Sequence, residues 1–237
     1  MNRRRVRAIV RKELREYRRT RAVVLAMAIL PLIFIIQPLV VVFLLNSSDA
    51  TQLSQRHLLL YLLALPALAP AAVGAASIVG ERQQGTLEPV LTTPIRRDEL
   101  VAGKSLAPLI PAVAVSYAVY AFFLASAELF AQPGVAPALI RGPDILAQLI
   151  FTPLIAGWSI WIAIAISARS SDIRAAQQLS ILACLPTAAV TSLIAFGVIH
   201  ATLRLAVVLG AALLLANSFG WRIVSATLDR ERLLTGS

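Results

Sequence analysis

The chain reads as an all-α integral membrane protein with six transmembrane helices, and three observations predict it. Of its 237 residues, 58% are hydrophobic and only 14% charged, where a soluble domain carries about a quarter charged residues. The charges are also segregated, which leaves apolar runs at about 22–45, 57–80, 105–127, 145–168, 177–199 and 205–221. None of these holds an Asp, Glu, Lys or Arg. Roughly 20 such residues, rising 1.5 Å each, cross the ~30 Å hydrocarbon core as a helix. The third observation is the alternation of positive charge. Lys and Arg number ten in 1–21, four in 81–104, two in 169–176 and three in 222–237, against only Arg56, Arg141 and Arg204 on the other side. Cytoplasmic loops collect these residues, so one multi-pass domain over 1–237 is expected, with both termini in the cytoplasm.

Charge and cysteine usage exclude other classes. The net charge of +10 raises nucleic-acid binding, but the basic residues flank spans, where anionic headgroups account for them. No basic stretch is rich in the aromatic residues on which bases stack. Cys184 is the one cysteine, so no internal disulfide forms. The first apolar run, at 24 residues, reads as a span and not as a cleaved signal peptide.

The N-terminal stretch MNRRRVRAIVRKELREYRRTR spaces Val6, Ile9, Val10, Leu14 and Tyr17 as one stripe of a helix. Arginines fill much of the rest, which predicts an amphipathic interfacial helix over 1–21, apolar face down and basic face toward headgroups. A plain basic anchor that sets orientation is the simpler alternative. The first span carries Pro31 and Pro38 and the second Pro66 and Pro70, kinks that neighbouring helices must repair. AAVGAASIVG (71–80) is rich in small residues that permit close helix approach, within the chain or against a second copy. The outer connection holding Pro133 and Gly134 is expected as a surface loop. The last span is the shortest, and only His200 and Arg204 mark the bend before it.

Reactive chemistry is sparse. The two histidines, His57 and His200, lie at the outer boundary, and no span contains an aspartate, so no intramembrane protease or metal site is assembled. Asp49, Glu128 and Asp144 form no recognisable pattern. Ion-coupled transport generally uses ionisable groups at bilayer depth, and the runs contain none. Gln37, Gln148, Ser159, Thr187, Thr191, Ser192 and Asn217 either line a path or make ordinary interhelical hydrogen bonds. No catalytic residue, cofactor site or metal ligand is expected in this chain.

ERQQGTLEPVLTTPIRRDELVAGKS, residues 81–105, interrupts the apolar pattern and ends in Gly103-Lys104-Ser105. A phosphate-binding loop needs glycine five residues before its Gly-Lys and a preceding strand. Asp98 stands at that position, and TTPIRRDEL is not a strand. Lys104 is instead expected to reach the headgroups where the third span begins. Gly85 turns the chain, Thr86 caps a short helix, and Pro89 is tolerated in its first turn. Leu87, Val90 and Leu91 share one face, and Pro94 stops the helix. Such an apolar knob, ringed by Glu81, Glu88, Arg96 and Arg97, suits a groove on a soluble partner. Packing against the chain's own helix ends fits the residues equally well.

This segment resembles the cytoplasmic signature of ABC type-2 transporter permeases. Glu81, Gly85, Thr86, Leu87, Glu88, Leu91, Pro94, Glu99, Gly103 and Lys104 match it. Its place between the second and third of six spans matches too, as does an N-terminal basic helix with an Arg-Lys-Glu-Leu run like the family's elbow helix. The resemblance implies a coupling helix over 81–104 that touches a separate ABC ATPase subunit. Glu81, Gly85, Thr86, Leu87, Glu88, Leu91, Pro94, Arg96 and Arg97 would transmit force. It further implies an exporter in a bacterial inner (plasma) membrane, working as a dimer of permeases with two ATPase copies that bind ATP and Mg. Small-residue span faces would form the dimer seam and substrate path. Arg96 departs from the family's Ser or Thr, predicting a weaker helix cap there. The connection at 200–204 is short for re-entrant outer helices. A haem-exporter-type permease, a non-ABC scaffold and an ion-coupled carrier remain as alternatives.

Overall fold

The structure, a computed structural model, describes residues 2–44, 57–85, 96–132 and 134–227. Among these, every regular element is helical: α1 (Arg3–Arg19), α2 (Arg21–Leu44), a 3-10 turn (Leu58–Leu63) leading into α3 (Ala64–Gly74), α4 (Ala76–Gln83), α5 (Arg97–Phe130), α6 (Val135–Leu139), α7 (Gly142–Arg169), α8 (Ile173–Ala195) and α9 (Leu203–Thr227). Six stretches are long and apolar enough to cross a membrane: Val23–Leu44, Leu58–Gln83, Asp98–Phe130, Gly142–Arg169, Ile173–Ala195 and Leu203–Ala226. They coincide with the six apolar runs. Two helices outlast their runs. α5 has 34 residues, about 51 Å at 1.5 Å per residue. The last helix, expected as the shortest, has 25 residues. Charge marks where a helix leaves lipid, whereas its backbone hydrogen bonds run on past that boundary.

Span two is the centre of the bundle. It is almost wholly buried, while spans one and six are mostly exposed. Span two packs on α7, α8, α5 and α2, and α9 leans mainly on α7. The small residues of 71–80 serve this central packing. A Cβ on Gly74 would lie 3.1 Å from Ala163 Cβ, and Ala75, Val79, Ala163 and Ala176 form one buried cluster. Of the two readings left open for that stretch, packing within the chain is the one these contacts show.

Span two is also broken, at Ala75 between α3 and α4. Neighbouring helices satisfy the backbone groups around the break, as a chain in lipid requires. Ser167 Oγ accepts hydrogen bonds from the Ile78 and Val79 amides, both at 3.1 Å. Gln177 Nε2 donates to the Ala72 carbonyl at 3.2 Å. On the outer side, α6 shapes part of the connection expected as loop. Gly197, with φ of 78°, turns the chain from α8 toward α9 with no helix between.

Candidate functional site

The site is built by α1 where span two ends and span three begins. Asn2 starts this helix, its Oδ1 accepting from the Arg4 amide at 3.0 Å. Val6, Ile9, Glu13 and Tyr17 form its buried stripe. That stripe is packed against protein and not turned down toward lipid. A Cβ on Gly103 would lie 2.5 Å from Ile9 Cγ2, so the bare backbone of Gly103 is the seat on which α1 crosses α5. Tyr17 joins Val23, Val73 and Ala107 in one cluster. The amphipathic helix is present; its apolar face has found α5 first.

Beneath α1 lies an ionic cluster. Lys104 is 1% exposed, and its Nζ meets Glu81 Oε2 at 2.8 Å, Glu13 Oε1 at 3.3 Å and the Ser77 carbonyl at 2.7 Å. It therefore points into the molecule, not to the headgroups: a buried ammonium must find partners, and three oxygens converge here. Glu81 Oε1 in turn accepts from Lys12 Nζ at 2.8 Å. Lys12 also lies 3.4 Å from Glu16. Three carboxylates thus share two ammonium groups, and Glu13 is the least closely paired of the buried ones. Burial pushes the Glu13 carboxyl above its ordinary value, against the opposing pull of Lys104. Burial works to lower the Lys12 pKa, but hydrogen bonding and attraction to Glu81, with Glu13 and Glu16, leave it raised.

Both ends of the connection between spans two and three are clamped. Before it, Glu81 holds to Lys104 and Lys12, while Arg82 donates to the Ala168 and Ser170 carbonyls at 3.0 and 3.1 Å. Those carbonyls belong to the last residues of α7 and its cap, groups that a helix end leaves unbonded. Gln83 Nε2 adds a bond to the Ser171 carbonyl at 2.9 Å. Gly85 follows with φ of 66°, the left-handed turn that ends a helix. After the segment, Arg96 is the exposed cap of α5. Its side chain makes no cap bond, as expected; Glu99 replaces it, accepting from the Arg96 amide at 3.3 Å. Glu99 also accepts from the Asn2 amide at 2.7 Å and reaches Arg5 at 3.5 Å. Thr86, Leu87, Glu88, Leu91 and Pro94 lie outside the described residues, and for Arg97 only the backbone, opening α5, is described. Gly103-Lys104-Ser105 lies inside α5, in helix and not in a phosphate-cradling loop.

The polar residues within spans divide in two. Ser159, Thr191 and Ser192 bond back to their own helices. Asn217 ties α9 to α7, donating to the Leu154 carbonyl at 2.9 Å and accepting from Trp161 Nε1 at 3.1 Å. Gln148 and Thr152, both wholly buried on α7, have no hydrogen-bond partner among the described residues. Sequence reasoning found no pattern among the charges expected on the other face, yet His57 Nδ1 lies 2.6 Å from Asp144, which also meets Arg141 at 3.3 Å. This joins the outer ends of spans two and four. Among the described residues no group of His, Cys, Asp or Glu could hold a metal ion.

Six apolar spans, with the interrupted second at their centre and the connection between spans two and three clamped at both ends, define a multi-pass membrane protein. The chain belongs to the ABC-2 family transporter proteins, whose family pattern matches residues 7–228. It is therefore a membrane component of an ABC transporter, and membership implies association with an ABC ATPase partner. No curated protein matches the chain.

Proposed function

We propose that this chain is the permease subunit of an ATP-driven exporter in a bacterial inner membrane, with both termini cytoplasmic. It pairs with itself or a similar permease and with two ATPase subunits, which bind the ATP and Mg; this chain carries no cofactor and no ATPase site. Residues 86–95 dock on the ATPase through Leu87, Glu88 and Leu91, with Thr86 and Pro94 bounding the helix and Arg96 and Arg97 beside it. Glu81 is 7% exposed, so its part is to pass movement inward and not to touch the partner. The observation that carries this reading is the double clamp. Lys104, at the start of span three, grips Glu81, at the end of span two, and α1 overlies both. A push on the segment between them reaches three elements at once.

The test uses the full chain with its ATPase in lipid. Leu87→Arg and Glu88→Arg should each abolish co-purification of the ATPase and lower its turnover to the level of the ATPase alone. Unchanged co-purification and turnover in both variants would refute the docking role.

A further inference from the structure

The free face of α1 is a row of arginines. Arg4, Arg7, Arg11 and Arg15 are exposed, recur at helical spacing, and line one shallow groove along the helix. None has an acidic partner among the described residues. Glu16, beside the groove, already pairs with Lys12 at 3.4 Å, and Glu13 and Glu99 are held by Lys104 and Arg5. Seven of the nine cations of α1 are left uncompensated in this way: Arg3, Arg4, Arg7, Arg11, Arg15, Arg18 and Arg19.

Register fixes the depth of this row. Asn2 and Arg5 meet Glu99, Ile9 meets Gly103, Glu13 meets Lys104, and Tyr17 shares a cluster with Ala107. α1 therefore travels beside residues 99–107 of α5, a rise of about 12 Å at 1.5 Å per residue. The apolar run of span three begins at 105 and span one at Val23, four residues after α1 ends. The arginines consequently lie at the level where spans leave the hydrocarbon, and the apolar stripe that would otherwise hold such a helix to a membrane is occupied by α5.

We propose that the Arg4–Arg7–Arg11–Arg15 row binds the phosphate headgroups of anionic phospholipid in the cytoplasmic leaflet. Guanidinium groups match phosphate oxygens in a two-pronged geometry, and basic residues at a membrane surface attract anionic lipid additively. The row shares its helix with Lys12 and Glu13, which grip Glu81 and Lys104. Lipid charge therefore steadies the clasp from outside. The part played in coupling rests on the function proposed above; the lipid site does not.

The lipid measurement needs no ATPase, and a separate co-purification with the ATPase completes the test. The full chain is reconstituted in phosphatidylcholine nanodiscs containing a minority of phosphatidylglycerol, and the lipid retained after extraction is counted by native mass spectrometry. The wild type should enrich phosphatidylglycerol, and about 0.5 M NaCl should erase much of the enrichment by shortening the screening length. R4Q/R7Q/R11Q/R15Q should lose the enrichment at least tenfold, whereas R169Q/R174Q/R222Q, changed at other cytoplasmic helix ends, should keep it. Replacing the four arginines by lysine should restore most of it. Equal loss in both glutamine variants, or no loss in the first, overturns the proposal. So does salt-independent retention by the wild type, a measurement that holds even where a variant fails to insert. If the four-arginine variant keeps its lipid but no longer binds the ATPase, the row docks the partner and the lipid proposal fails.

Discussion

Glu13 stands one turn beyond Ile9 and one turn before Tyr17, so it falls on the stripe that packs against α5. Its raised pKa has a consequence of definite sign. Below the unfolded value, close to 4.5, the carboxyl is protonated in both states and costs docking nothing. As pH rises through that value toward the higher folded one, the unfolded chain releases its proton first, and the contribution to stability is lost. Lys12 is raised too, so its contribution persists to pH values beyond 10.5. Glu81, held below the ordinary value by Lys104 despite its burial, and Glu99, held below it by the Asn2 amide, act in the opposite direction. The sign therefore belongs to the difference between wild type and variant. We expect Glu13→Gln to gain thermal midpoint relative to the wild type as pH rises from 4.5 toward neutrality, with Lys104 still held by Glu81 and the Ser77 carbonyl. An unchanged difference across that range would remove Glu13 as a source of pH dependence. The sequence stripe was drawn through Val6, Ile9, Val10, Leu14 and Tyr17, and Glu13 was not singled out within it. Its partner Lys104 lies 91 residues away, and no local rule joins the two. Gly103 and Lys104 were legible as a pair for the same reason that their role was not: adjacency is in the sequence, but the helix crossing over them is not.

Elements show a similar division. Apolar length and the alternation of positive charge located all six spans, because lipid imposes both on any chain that crosses it. The break in span two was not legible. Pro66 and Pro70 hinted at a kink, but the break falls at Ala75, where Ser167 and Gln177 take up backbone groups. Equally hidden was the sorting of polar residues within spans. Asn217 turned out to be a bolt between α9 and α7, whereas Gln148 and Thr152 face inward without partners. A buried amide left unpaired costs about 1–3 kcal/mol, and an apolar group of similar shape removes that cost. Gln148→Met should therefore raise stability by about 1 kcal/mol, read as a higher thermal midpoint of the chain in nanodiscs, with Thr152→Val moving it the same way. A lowered midpoint in Gln148→Met would mean that the amide has a partner and that the seam between α7 and its neighbours is polar by design.

For the whole molecule, the question is how movement at residues 86–95 reaches the far side of the bundle. Four connections leave the segment: Glu81 to Lys104 and α1, Glu99 to Asn2, Arg82 to the carbonyl end of α7, and Gln83 to the Ser171 carbonyl beyond it. The last two lead to span four, whose other end is tied by Asp144 to His57 at the start of span two. Span two and span four are thus joined at both faces of the membrane, through Arg82 inside and Asp144 outside. A displacement of the segment then turns the pair as one body instead of sliding one helix past the other. Arg82→Gln weakens the inner joint by removing both bonds to the end of α7, while leaving residues 86–95 unaltered. ATPase co-purification and basal turnover should remain near wild type, since the docking surface is intact. Nucleotide-driven movement of span four should shrink by at least half, measured by electron-paramagnetic distances between spin labels on Arg169→Cys and a fixed site on the ATPase, in a Cys184→Ala background. If Arg82→Gln moves span four as far as the wild type does, force enters span four by another route, and Lys104 with α1 becomes the principal path. If co-purification fails as well, Arg82 is part of the docking surface and its bonds to Ala168 and Ser170 are secondary.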